Sequence, residues 1–150
     1  MSEYDADLVL WSHHQAELLR RMAAGERLNN LLDWDNLAEE IDSLGKNDRR
    51  ELGSRVQTIL RHLIKLMLSP ATAPRAGWRR TVVEQRLQLS RLLKDSPSLR
   101  PFLSEAIAEE LPGARTLATL DLAEFDEQPA ADPEGISPSE DQMLGPWMPD

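Results

Sequence analysis

Apolar residues recur every three or four positions along most of this chain, which is the spacing of one buried face on an α-helix. No stretch alternates apolar and polar residues as a strand would, and β-branched residues are few. The pattern predicts an all-α fold. We expect an antiparallel bundle of four to five helices over residues 1–125, followed by an extended acidic C-terminal tail over residues 126–150.

Caps and breakers set the expected helix ends. The first helix is predicted over Ala6–Ala24, with Asp5 as its N-cap and Gly25 as its stop. A later helix is predicted over Gly77–Lys94, after a loop with two prolines. Ser98 is expected to cap the last core helix, and Pro112-Gly113 is expected to kink or break that helix.

The longest apolar pattern begins at Asp33 or Asp35 and stays in helical phase to Leu68. Gly45 interrupts it, and the residues that follow resemble a new capping box, which favours two helices. The unbroken phase favours one rod. We interpret the segment as a rod with a weak point near Gly45.

The last 25 residues differ in character from the rest. Residues 126–150 hold five of the ten prolines, seven acidic residues and no basic one. This composition is typical of extended chain. Trp147 is the one large aromatic there and is expected to anchor the tail on the bundle.

Charge is distributed in three blocks within a net charge of −9. Residues 1–45 carry −7, residues 46–100 carry +9, and residues 101–150 carry −11. The basic block can pair with the acidic helices or serve as a binding face. An acidic protein repels polyanions at long range, which disfavours nucleic acid as the partner.

Catalytic and metal-binding patterns are missing. The chain has no cysteine, no glycine-rich phosphate loop and no zinc or HExxH spacing, so we expect no metal and no cofactor, and enzyme activity is disfavoured. The acidic N-terminus does not resemble a signal peptide, and no apolar run reaches membrane-spanning length. A cytoplasmic location is therefore expected.

Polar residues beside the apolar faces are the candidate site. If residues 35–68 form one rod, Asp48, Arg55 and His62 lie seven residues apart along the edge of its apolar stripe. They would then meet Gln85 and Arg86 of the next helix. Arg86 would pair with the carboxylate of Asp48 or Glu40. One interpretation is a structural network that fixes helix register. The other is a small-ligand or enzymatic site walled by His62 and Arg86. The set comprises Glu40, Asp48, Arg55, His62, Gln85 and Arg86.

A second candidate mixes cations with an aromatic ring, a pattern that can hold a nucleic-acid backbone and stack a base. Its residues are Arg75, Trp78, Arg79 and Arg80. The alternative is that the tryptophan belongs to the core and the arginines face solvent or neighbouring acids.

Several segments resemble a bacterial family catalogued as domain of unknown function twenty-nine. They are Trp11, Asp35–Gly45 with its Leu-Ala-Glu-Glu-Ile run, Arg49–Leu52, His62–Lys65, Trp78, Gln85-Arg86 and Asp95–Arg100. The resemblance implies a helical fold and a bacterial origin but no activity, so no residue role follows from it. The function we expect is a non-enzymatic protein-interaction module, a homodimer or partner-binding domain. A nucleic-acid binder and a ligand or enzyme site remain the alternatives.

Overall fold

The computed structural model describes residues 1–150 and contains α-helices and short 3-10 turns but no strand, which confirms the all-α prediction. Two compact units are distinguished, Met1–Lys46 and Asn47–Asp150. The helices are α1 (Glu3–Ala6), α2 (Leu8–Ala23), α3 (Trp34–Leu68), α4 (Arg75–Asp95), α5 (Leu103–Glu124) and α6 (Glu140–Leu144).

The start of the first unit differs from the expected single helix. The chain makes a short helix, α1, and Asp5 contributes to its capping box with Ser2. The N-cap of α2 is Asp7, whose carboxylate accepts from the Leu10 N–H at 2.9 Å. Asp5 as the cap of the long helix was therefore wrong. Gly25 follows with φ of +103°, the left-handed conformation expected of a helix stop.

The long apolar pattern forms one helix. α3 runs for 35 residues from Trp34 without ending at Gly45, so the rod prediction is confirmed. The apolar face of its second half is buried and supplies much of the core of the second unit, through Leu52, Val56, Ile59, Leu60, Leu63 and Ile64.

The core of the second unit is completed by α4, α5 and the tail. Apolar side chains of α4 and α5 pack on the second half of α3, and Ile136 and Met143 of the tail join the same cluster. Trp147 is half-buried against that cluster. The 1–125 and 126–150 division stays a prediction of domain organisation. In the structure, however, both segments contribute to the core of the second unit.

The last core helix differs from the prediction at its start and at Pro112. Residues Pro97–Phe102 form a 3-10 turn, so Ser98 lies inside that turn and α5 begins after Phe102. α5 then continues through Pro112 without a break. Pro112 is exposed, so water can satisfy the carbonyl that loses its hydrogen bond, while buried Leu111 and Ala114 hold the helix on both sides.

Candidate functional site

The first unit exposes an apolar stripe on α3. Trp34, Ile41 and Leu44 are 53%, 67% and 67% exposed, and Leu37 between them is half-buried. The four positions are separated by three, four and three residues, the spacing of a helix face that packs on another helix. We call Trp34, Leu37, Ile41 and Leu44 the exposed stripe. Asp35, Glu39 and Asp42 are exposed beside it.

The first unit is held together by few buried groups. Trp11 and Leu32 are its buried large apolar side chains. The indole of Trp11 donates to the carboxylate of Asp33 at 3.0 Å, and the amide oxygen of Gln15 accepts from the Asp33 N–H at 2.8 Å. This arrangement fixes the start of α3, where the indole of Trp34 also donates to the carbonyl of Asn29 at 2.9 Å.

The second unit has a shallow groove along α4. It is a depression of about 430 Å³ whose apolar lining includes Val83, Leu87, Leu144 and Met148. Val83 and Leu87 are 48% and 65% exposed. We call this feature the α4 groove. Exposed Arg80 and Arg91 lie three and four residues from these two side chains, on the same side of the helix.

The predicted polar network forms only in part. Arg55 donates to the amide oxygen of Gln85 at 3.1 Å and to Glu51 at 3.2 Å, so α3 and α4 do meet through these residues. The carboxylate of Asp48 instead accepts from the Ser96 hydroxyl at 2.7 Å. Glu40 accepts from the Tyr4 hydroxyl at 2.5 Å.

The expected carboxylate partner of Arg86 was wrong. Arg86 is 8% exposed, and its guanidinium donates to the backbone carbonyls of Met143 at 2.9 Å and Trp147 at 2.7 Å, and also to that of Gln142. The sequence pattern located the arginine beside a buried face. It could not reveal that tail carbonyls, rather than carboxylates, satisfy the cation there.

His62 and Arg86 line separate depressions. His62 belongs to a cleft of about 780 Å³ formed by α3, α4, α5 and the loop after Pro70, whereas Arg86 borders the α4 groove. In this cleft the ammonium of Lys65 lies 4.9 Å from the ring centroid of Trp78 and 3.2 Å from the carboxylate of Asp121. The sequence analysis assigned neither Lys65 nor Asp121 to a candidate site.

Burial lowers the pKa of the His62 imidazole, and the nearby cations Lys65 and Arg61 act in the same direction. Its Nδ1 lies 2.9 Å from the carbonyl oxygen of Thr58, which can only accept. Nδ1 therefore carries the proton, and Nε2 of the neutral ring carries a lone pair.

We expect His62 to make the protein less stable in mild acid. In the unfolded chain a histidine takes up a proton near pH 6.5, while the folded state resists protonation because its pKa is lowered. The free energy of unfolding is therefore highest above about pH 6.5 and decreases as the pH falls below it. Urea unfolding from pH 7.5 to 5.5 should show a steeper loss for the wild type than for His62→Gln. Exposed His13→Gln serves as the control, and identical profiles for wild type and His62→Gln would contradict the assignment.

The cation-rich segment at the start of α4 is largely engaged within the chain. The guanidinium of Arg75 donates to the backbone carbonyls of Leu66 at 2.9 Å and Ser69 at 3.1 Å, and to that of Asp150. Trp78 is half-buried and packs against the core, with the ammonium of Lys65 4.9 Å from its ring centroid. Only Arg79 and Arg80 of this set remain exposed, so the structure does not assemble the expected stacking platform.

No helix has the length and hydrophobicity to cross a lipid bilayer. No cluster of three or more histidine and acidic side chains is arranged to hold a metal ion.

Comparisons with known proteins agree with the helical architecture. The crystal structure of an alpha-helical protein of unknown function from Rhodospirillum rubrum superimposes with a TM-score of 0.67 at 30% sequence identity, covering 97% of this chain and 91% of that one. No curated protein matches the chain. The model of the family described as Domain of unknown function DUF29 matches residues 3–144. The chain therefore belongs to the DUF29 family.

Proposed function

We propose that this protein is a non-enzymatic helical interaction module that self-associates, with the exposed stripe of one copy packed into the α4 groove of a second copy. The observation that carries the proposal is the exposure of Trp34, Ile41 and Leu44 on one helix face. Exposing contiguous apolar side chains to water costs free energy, and apolar patches with this spacing mark protein interfaces.

Charge complementarity supports the proposal of a second copy as the partner. The first unit, which carries the exposed stripe, has a net charge of −6, with Asp35, Glu39 and Asp42 beside the stripe. α4 has a net charge of +4, and Arg80 and Arg91 flank its groove. The same chain therefore carries the exposed stripe, with acidic residues beside it, and the α4 groove, with basic residues beside it. Opposite potentials favour their association and fix its orientation.

Light scattering after size exclusion tests the association. When each copy's exposed stripe packs into the other copy's α4 groove, the assembly closes as a dimer. The wild type should then elute with about twice the 17.0 kDa mass of one chain. Ile41→Lys places a charge on the exposed stripe, and Leu87→Glu places a charge in the α4 groove. Burying an unpaired charge should weaken association by about a hundredfold, which corresponds to roughly 3 kcal/mol. Leu120→Lys is the control, because Leu120 is 57% exposed on α5 and lies on neither surface.

Mixing the two defective variants provides the sharper test. The Ile41→Lys chain keeps an intact groove and the Leu87→Glu chain keeps an intact stripe. A mixture should therefore form a heteromeric complex, although each variant alone is monomeric. Association that Leu87→Glu leaves unchanged would mean that the stripe packs on another surface. A monomeric wild type at high concentration would refute the proposal.

A further inference from the structure

The cleft beside His62 lies entirely in the second unit and is large enough for a small molecule. Its volume of about 780 Å³ compares with roughly 300–1,000 Å³ for typical ligand pockets. Apolar groups dominate its walls, including Pro74, Trp78, Leu122 and Phe125. Phe125 is 77% exposed although it is aromatic, so a ligand entering the cleft would cover apolar surface that is now in water.

The base of the cleft has more positive than negative charge. Arg61 donates to the two oxygens of Asp121 at 2.6 and 2.7 Å, and Lys65 approaches the same carboxylate at 3.2 Å. Two cations thus contact one carboxylate, and Glu124 also acts on Arg61 through its charge. The Lys65 side chain is only 9% exposed, so water compensates its charge poorly.

Two carboxylates at the mouth have the opposite charge, but their surroundings differ. Glu124 is exposed, and half-buried Glu127 accepts a hydrogen bond from the Ser69 hydroxyl at 2.7 Å. Charges in water are screened within about 10 Å at 0.1 M salt, whereas those in a poorly hydrated base are screened much less. The ammonium of Lys65 therefore governs the charge preference at the base.

We propose that this cleft binds a small amphipathic monoanion, with its carboxylate or equivalent group at Lys65 and its apolar body between Trp78 and Phe125. The anion pairs with the ammonium of Lys65, whose side chain is only 9% exposed. The apolar body covers the exposed phenyl ring. The site does not depend on self-association, because none of these residues belongs to the exposed stripe or the α4 groove.

Three naphthalene compounds that differ only in their polar group test the charge preference: 2-naphthoate, 2-naphthylmethylammonium and 2-naphthalenemethanol. In isothermal titration calorimetry, naphthoate should bind at least tenfold more tightly than the other two. Tighter binding of the ammonium compound would overturn the assignment of an anion. No binding of any compound at millimolar concentration would overturn the site.

Substitutions then locate the contacts. Lys65→Met keeps the apolar stem and should remove the preference for naphthoate over the alcohol. Phe125→Ser changes an exposed side chain, so the fold should survive, and binding of all three compounds should weaken about tenfold. Leu120→Ser, also exposed on α5 but outside the cleft, should leave all three affinities unchanged. Unchanged affinities in the Phe125→Ser variant would show that the compounds bind elsewhere.

Discussion

Replacing Asp121 with alanine is expected to lower the free energy of unfolding by about 3 kcal/mol, near the lower end of the range for breaking a buried ion pair. The carboxylate is the shared partner of Arg61 and Lys65, and its removal leaves the ammonium of Lys65 almost buried and uncompensated. Arg61 is 35% exposed and can turn to water, which keeps the loss below the maximum. Urea unfolding measures the change, with exposed Glu109→Ala as the control, expected to shift stability by less than about 0.5 kcal/mol.

A double variant separates the buried charge from lost packing. Lys65→Met combined with Asp121→Ala should recover a large part of the stability, because no unpaired ammonium remains. If the losses of the two single variants instead add in the double variant, the ammonium is not the source of the penalty.

The stabilisation by Asp121 should also depend on pH. The hydrogen bond from Arg61 and the charge of Lys65 hold the pKa of Asp121 below its usual range. The stabilisation is therefore present above about pH 4 and lost below it as the carboxylate is protonated.

Arg86→Met is expected to destabilise the second unit by about 3 kcal/mol, because hydrogen bonds to a charged donor contribute about 1.5–3 kcal/mol each and the bonded carbonyls lose their partner. The methionine keeps much of the apolar volume, so the loss reports the guanidinium. Residues 126–150 should also become sensitive to limited proteolysis while the helical circular dichroism signal is retained.

Exposed Arg79→Met is the matched control on the same helix and should change stability by less than about 0.5 kcal/mol. Equal losses for the two variants, or a tail that remains protected in Arg86→Met, would mean that the guanidinium does not hold the tail.

Helical periodicity was sufficient to predict the architecture, because burying one face of a helix leaves a clear record in the sequence. The continuous phase across Gly45 predicted the single helix α3 correctly. Ile41 and Leu44 belong to the same apolar pattern, and both are exposed. Periodicity identifies an apolar face but cannot distinguish packing within the chain from packing on another molecule.

The candidate site was less predictable, because its contacts join residues distant in sequence. His62 and Trp78 were each selected, but for different hypotheses, and the fold brings both to one cleft. A usable signal was the lysine inside Leu63–Leu68, the most apolar run of the chain. A charge there requires a partner, but the sequence does not indicate that Asp121 on α5 supplies it.

The attachment of the tail also has a consequence for the order of folding. The hydrogen bonds from Arg86 join residues separated by 56 to 61 positions, so they close long loops. Contacts of such sequence separation carry a large entropic cost and tend to form after local helices. Interactions absent from the transition state mainly control the rate of unfolding. The three hydrogen bonds from Arg86 to the tail carbonyls should therefore form late in folding. We expect them to slow unfolding and to have little effect on the rate of folding.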